Sequence, residues 1–243
     1  MGHRNPILEA ASELPVTYRY PRPAINVNCV VLGWDGKQDL KILLVQRRQS
    51  PFRNSWALLG ASVSMSETTE STARKAIHEQ TGFDDIYLEQ LYTFDEVDRD
   101  PRERVISIVY FALVPEIHVV DQENNERPRE WFSLSALPRL AFDHAKIIDY
   151  SKAELAQRAL HQPIAFELLP YRFSLTQIQN LYESILGKKF DKRNFRKKLM
   201  TEELLSETNH MEEGNQHRPA RLYRFNRRRH LARVRIGTSF DLS

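Results

Sequence analysis

Apolar residues in the first two thirds of the chain recur at every second position or in short unbroken runs. Ala24 to Gly33, Lys41 to Gln46, Trp56 to Gly60, Ile86 to Phe94, Val105 to Leu113 and Glu130 to Phe132 are therefore predicted strands. Asp35-Gly36 is a hairpin signal between the first two, and Gln49 to Asn54 is expected to be a loop. After Gly60 the period changes. Ala73 and Ile77 stand four apart, Ser66 is a candidate N-cap and Gly82 a candidate C′ residue, which predicts a helix from Glu67 to Thr81. A turn and charged segment, Glu123 to Arg129, precedes the last strand, and a second helix is expected to begin at Leu140 to His144 and reach Leu160. Strands interleaved with helices indicate an α/β domain.

Beyond Gln162 the pattern is helical and basic. Pro163 to Pro170 is expected to be a linker and lead-in. Ser174 and Gln177 then form a capping box, and Ile178, Leu181, Tyr182 and Ile185 follow the spacing of an amphipathic helix. Gly187 interrupts it, and Asp191 caps a second helix predicted from Lys192 to Leu205. Phe195 and Leu199 would face the core, leaving Arg193, Arg196 and Lys197 on the opposite side. Arg218 to Phe225 alternates like a strand, with Glu212 to Arg218 as the tip of a hairpin. This is a winged helix-turn-helix pattern, and an exposed basic second helix is what entry into a DNA major groove requires. The competing expectation is a basic, solvated helix pair docked on the first domain.

Charge sharpens the division. The chain has 243 residues and net charge +3; residues 1–162 carry 19 Lys and Arg against 23 Asp and Glu, whereas residues 163–243 carry 16 against 9. Polyanion contact is therefore expected from the back third. Hydrophobic residues make up 41% and charged residues 28%, which excludes a disordered or membrane-embedded chain. The longest apolar stretch, Val105 to Val114, is about half a membrane span. With no secretory signal pattern, no membrane association and a cytoplasmic location are expected. The single cysteine, Cys29, lies in an apolar strand and is expected to be buried and unreactive.

One stretch carries a resemblance. Residues 60–83, GASVSMSETTESTARKAIHEQTGF, resemble a Nudix box, the loop-helix-loop that grips a pyrophosphate through divalent metal. Aligned on Thr81-Gly82-Phe83, the box places Glu67 at its first acid, Lys75 at its Arg, Ala76 at the acid after it, and Glu79 and Gln80 at the double acid. Its opening glycine falls on Ala61, beside Gly60. Positions 76, 79 and 80 share one helical face. Magnesium prefers hard oxygen ligands, yet this face keeps one carboxylate of three, so no metal and no hydrolysis are expected. Strands leading into and out of the box imply the Nudix α/β/α sandwich with a mixed sheet.

The Asp95 to Arg102 segment resembles the Arg-Asp-Pro-Arg loop of Nudix proteins that handle ADP-ribose. The resemblance makes ADP-ribose the implied effector, held by Arg47, Arg48, Trp56, Glu67, Glu79, Asp95, Arg99 and Arg102. Arginines suit a pyrophosphate because they bind it at two points. The alternatives are a solvated charged turn for this loop, and core packing for Trp56 and His144. Leu168-Leu169-Pro170, Phe173-Ser174-Leu175, residues 191–198 and residues 218–225 are similar to the C-terminal winged helix of Nudix-related regulators of NAD metabolism, the NrtR family. The similarity implies a homodimeric repressor of NAD-synthesis or salvage genes. Thr176, Gln177, Lys192, Arg193, Asn194, Arg196, Lys197, Arg218 and Arg221 would then contact a palindromic operator. The expected organisation is an arm (1–20), a Nudix-like domain (21–162), a winged helix (163–226) and a basic extension (227–243) that adds phosphate affinity. An active Nudix pyrophosphatase, or a ligand sensor acting through protein partners, are the competing functions.

Overall fold

The computed structural model describes residues 19–84, 86–115, 128–212, 219–235 and 240–242. Most of the expected N-terminal arm, Glu123 to Arg127 of the charged segment, and Arg218 lie outside the described residues.

Seven strands form one mixed sheet: β1 Ala24–Trp34, β2 Leu40–Gln46, β3 Trp56–Ala57, β4 Leu59–Ser62, β5 Tyr87–Phe94, β6 Val105–Val114 and β7 Arg129–Ser133. The path is β3-β2-β1-β6-β5, with β4 added to β1 and β7 to β2. β1 and β6 run parallel from Ala24↔Val105 to Gly33↔Val114, so the two most apolar strands form the centre. The first half of β1 pairs β4 on its other edge, and the second half pairs β2. β4 and β2 thus share that edge of β1, one beyond the other.

Period-two alternation divides the core. Val27, Cys29 and Val31 of β1 face helix α1 (Thr69–Thr81), where Ala73 and Ile77 are fully buried. Val30, Leu32 and Trp34 face helix α2 (His144–His161), packing with Ile147, Ile148 and Leu155. This is the expected α/β/α sandwich. Cys29 donates weakly to the Ala73 carbonyl, and burial pushes its thiol up to about 12, so it is inert as a nucleophile.

Two helix boundaries differ from expectation. α1 starts later, because Thr68 rather than Ser66 is the N-cap, its side chain accepting from the Ser71 N–H at 3.1 Å. A bond between Thr69 Oγ1 and the Tyr110 hydroxyl, at 2.7 Å, fixes that start against β6. Gly82 ends the helix in the left-handed conformation (φ 74°), as expected.

Residues 163–168, within the expected linker and lead-in, are packed into the core. They form a 3-10 helix whose Ile164, Ala165, Phe166 and Leu168 are buried. The same hydrophobic cluster continues into the back third through Phe173, Leu181, Tyr182, Phe195 and Leu199. There, β8 (Phe173–Ser174), β9 (Leu205–Met211) and β10 (Arg221–Phe225) form a three-stranded sheet, order β8-β10-β9, around α3 (Leu175–Leu186) and α4 (Lys192–Thr201). The capping box forms as expected: Ser174 Oγ accepts from Gln177 N at 3.2 Å, and Gln177 Oε1 from Ser174 N at 2.8 Å. α4 stops at Thr201 instead of reaching Leu205, because Glu203 takes a positive φ of 51° and Leu205 already belongs to β9.

The C-terminal run is a helix, α5 (Arg227–Arg235), tied to the body. Arg227 pairs with Glu167, Arg229 with Glu203 and Arg233 with Glu202. Phe240 and Leu242 are buried, and Leu242 N donates to Leu160 O at 2.8 Å.

Candidate functional site

Two adjoining cavities lie around β4. The larger, about 610 Å3, lies against α1 and is lined by residues including Arg47, Arg48, Gly60, Ala76, Glu79 and Gln80. The smaller, about 180 Å3, lies on the side of α2 and includes Asn26, Asn28, Arg47, Arg99, Arg102, Phe142 and His144 in its lining. Arg47, Ala57, Leu58, Gly60 and Ala61 belong to both walls. Gly60 has no alternative here. A Cβ would stand 2.4 Å from the Val27 carbonyl oxygen, so only glycine lets β4 approach β1.

Backbone chemistry explains the partition between them. The strand expected over Trp56 to Gly60 breaks at Leu58, whose N–H donates to His144 Nδ1 at 3.0 Å. His144 is buried, and that burial, followed by the Arg99 and Arg47 cations, depresses its pKa to about 3. It is a neutral acceptor. Next to it Phe142, in the left-handed region at φ 51°, carries Arg47 on its ring at 4.6 Å and Arg102 at 5.6 Å.

The loop arginines have separate duties. Arg99 makes a two-point pair with Asp143, and both side chains are almost wholly buried. Arg102 pairs with Asp100 at 2.7 Å but remains half exposed, with its guanidinium at the cavity. Five of the eight effector residues named from sequence, Arg47, Arg48, Glu79, Arg99 and Arg102, line one or both cavities. Three lie outside both linings. Trp56 packs edge-on against Phe132 at 4.7 Å, Asp95 is exposed, and Glu67 accepts from Thr72 and from Lys75 at 3.3 Å. The Lys75 ammonium holds the Glu67 carboxyl below its ordinary value.

Asn26, Asn28 and Phe142 were not singled out from sequence. The two asparagines had a visible signal, since they interrupt the apolar face of a central strand at alternate positions. Ser107 Oγ donates to Asn28 Oδ1, which holds that amide in place. Phe142 had no signal, because its role depends on arginines 95 and 40 positions away.

On the winged helix, Lys192, Arg193, Asn194 and Lys197 are exposed, and Arg196 donates to Thr176 Oγ1 at 3.0 Å. Among the described residues no carboxylate pairs with Lys192, Arg193 or Lys197. Arg221 of β10, by contrast, is paired with Glu207. Phe195 and Leu199 are buried beneath α4, so its basic side is the outward one. Lys192, Arg193 and Lys197 thus sit on the helix-turn-helix without a carboxylate partner among the described residues, whereas three of the five arginines of α5 are neutralised.

A NUDIX domain model matches residues 22–151, and the NrtR DNA-binding winged helix domain model matches residues 165–225. The chain is 33% identical over 210 residues to the ADPR responsive transcriptional repressor NtrR of Acinetobacter baylyi, covering 85% of this chain and 83% of that one. The chain belongs to the NrtR family. The crystal structure of Shewanella oneidensis NrtR complexed with a 27mer DNA superposes with TM-score 0.77 at 28% identity, over 90% of this chain and 99% of that one. The Nudix half is 38% identical over 136 residues to the ADP-ribose pyrophosphatase of Methanocaldococcus jannaschii, covering 55% of this chain and 76% of that protein.

In this NrtR-family chain the Nudix-box face is poor in carboxylates. The helix face that would hold the Nudix metal presents Ala76, Glu79 and Gln80, so one anionic donor stands where two or three are needed. Among the described residues no three His, Cys, Asp or Glu side chains converge on a metal position. Two cations, Arg47 and Arg48, line the same cavity.

Proposed function

We propose that this NrtR-family chain is a DNA-binding transcriptional repressor of NAD-synthesis or salvage genes whose grip on operator DNA is set by ADP-ribose. The observation that carries this reading is the charge of the larger cavity. Two arginines and a single carboxylate line it, so a diphosphate is attracted directly, without a metal to bridge acid and phosphate. The Nudix domain is then a receptor and no longer a hydrolase. Arg47, Arg48 and Arg102 surround the pyrophosphate, Arg99 holds the loop through Asp143, and Asn26 and Asn28 offer amide groups to the ribose hydroxyls.

Support for the output comes from the basic face of α4, where Lys192, Arg193 and Lys197 have no carboxylate partner among the described residues, and from the likeness to a repressor and to a regulator solved with DNA. Lys192, Arg193, Asn194, Arg196 and Lys197, with Thr176, are the proposed DNA contacts. A homodimer in the cytoplasm would set two such helices about one helical turn apart on a palindromic site. The effector acts through its difference in affinity for the DNA-competent and incompetent arrangements, and can shift binding only by that amount.

The test begins with duplex selected by the full-length protein from a random pool. That duplex should be retarded in a gel, and ADP-ribose should change the retardation. Selection of no duplex refutes the reading. Likeness to the pyrophosphatase favours a second reading, hydrolysis of ADP-ribose-like nucleoside diphosphates. Incubation with ADP-ribose and magnesium separates the two: no AMP is expected, and brisk AMP release makes the protein an enzyme.

A further inference from the structure

We propose that the β1–β2 turn of the Nudix half is part of the DNA-binding surface, with Lys37 contacting a backbone phosphate beside the helix-turn-helix. This rests on the DNA-binding reading above.

The turn and the winged helix face each other across a groove of about 890 Å3. Gly36, Lys37 and Gln38 form one wall, and Thr176, Lys192 and Arg196 belong to the other. The turn is fastened there, because Ser184 Oγ of α3 donates to the Gln38 carbonyl at 3.0 Å. It is also internally rigid. The Asp35 carboxylate accepts the backbone N–H groups of Lys37, Gln38 and Asp39 at 2.8–3.0 Å, and Gly36 supplies the left-handed φ of 78°.

Charge decides what this groove can hold. Asp35 is engaged by its own turn, so Glu212 is the other carboxylate in the lining, against Lys37, Lys192 and Arg196. Lys37 is exposed, and among the described residues it has no ion-pair partner. A phosphate chain following Thr176 and Lys192 runs on towards Lys37, whose presentation on a braced turn lowers the ordering cost of the contact. β1 also supplies Asn26 and Asn28 to the smaller effector cavity, and Arg47, directly after β2, reaches both cavities. One hairpin thus touches both ligands.

Lys37→Ala, Lys37→Glu and Lys37→Arg are compared with wild type by fluorescence anisotropy, on the selected duplex and on a scrambled one, across a salt series. Lys37→Ala should weaken both duplexes several-fold and lower the log–log salt slope by about one per protomer. Lys37→Glu should weaken them further, and Lys37→Arg should restore binding. Lys41→Ala, beside Asp39 on the same hairpin, should keep the wild-type slope. ADP-ribose affinity of Lys37→Ala should match wild type, which verifies that the pocket is folded. A Lys37→Ala protein with wild-type slope and affinity overturns the proposal. Failure of wild type to select any duplex instead removes the DNA-binding reading on which it rests.

Discussion

Arg99 and Asp143 are locked together inside the protein, Nε to Oδ2 at 2.9 Å and Nη2 to Oδ1 at 2.8 Å. The pair joins the loop before β6 to the start of α2, and it explains why Asp143, at the N-cap of that helix, makes no capping bond. Arg102, three residues on, keeps its guanidinium half exposed. Two arginines of one loop motif thus do different work. Arg99→Ala leaves Asp143 buried and uncompensated, which should cost about 3–5 kcal/mol of folding stability. Arg102→Ala also strips a buried carboxylate, Asp100, of its guanidinium, but the Arg102 backbone N–H still donates to it, so the stability loss should be smaller than for Arg99→Ala, while ADP-ribose binding weakens. Urea unfolding and calorimetric titration of the two variants check the division; equal stability losses would contradict it.

The Ala76, Glu79, Gln80 face yields a gain-of-function prediction. All three side chains line the larger cavity, so Ala76→Glu with Gln80→Glu adds two carboxylates beside Glu79. The double variant should bind manganese, read by water-proton relaxation, where wild type shows weak or no binding. It should also bind ADP-ribose less tightly in the absence of metal, because the anions oppose the arginines. Unchanged metal affinity would mean that this face does not set the metal site.

Gly60→Ala places a methyl carbon on the Val27 carbonyl oxygen, 2.4 Å away, where backbone atoms on both sides cannot yield cheaply. β4 must move off β1. A loss of roughly 1–3 kcal/mol is expected, with ADP-ribose affinity falling further than stability, since Gly60 lies in the wall between the two cavities. Thermal unfolding beside ligand titration tests both parts.

Much of this architecture is legible in the sequence because the local signals are self-sufficient. The alternation of β1, the Asp35-Gly36 turn, the Ser174 and Gln177 box and the Gly82 stop each specify structure within a few residues. Choices decided across the fold were not legible. Ser66 and Thr68 are both competent caps, and Thr69 meeting Tyr110 selects the later one. Residues 163–168 look like a Pro-led connector, yet their apolar side chains are buried beneath the tail. The tail read as a basic extension adding phosphate affinity, because the carboxylates that neutralise three of its arginines lie 26 to 60 residues away. For the site, residue type revealed the loop arginines, but their partners separated the one that builds the wall from the one that faces ligand.

That neutralisation has a consequence on DNA. Arg193→Ala and Lys197→Ala on α4 should each weaken operator binding and lower its salt slope by about one. Arg233→Ala on α5 should leave the slope unchanged and reduce stability instead, because its guanidinium is held by the Glu202 carboxylate at 3.2 Å and carbonyl at 2.9 Å. A salt slope that falls equally for all three would return α5 to the interface.

His144 makes stability depend on pH. Its imidazole accepts the Leu58 N–H in the neutral state, and burial together with Arg99 and Arg47 brings its folded pKa down to about 3 from the ordinary 6.5. A depressed histidine pKa means that the unfolded chain binds the proton more readily. Its stabilisation is therefore complete above pH 6.5 and declines as pH falls from 6.5 towards 3. Each unit of that descent is worth on the order of 1 kcal/mol for such a group. His144→Asn preserves a nearby acceptor and cannot titrate, so its stability curve should be flatter between pH 6.5 and 4.5, a window above the ordinary range of carboxylates. His230, half-buried among arginines, is also depressed and contributes in the same direction, so the comparison is made with His230→Asn in both proteins. Urea midpoints across that window that decline equally with and without His144 would show that the buried imidazole is not the proton acceptor.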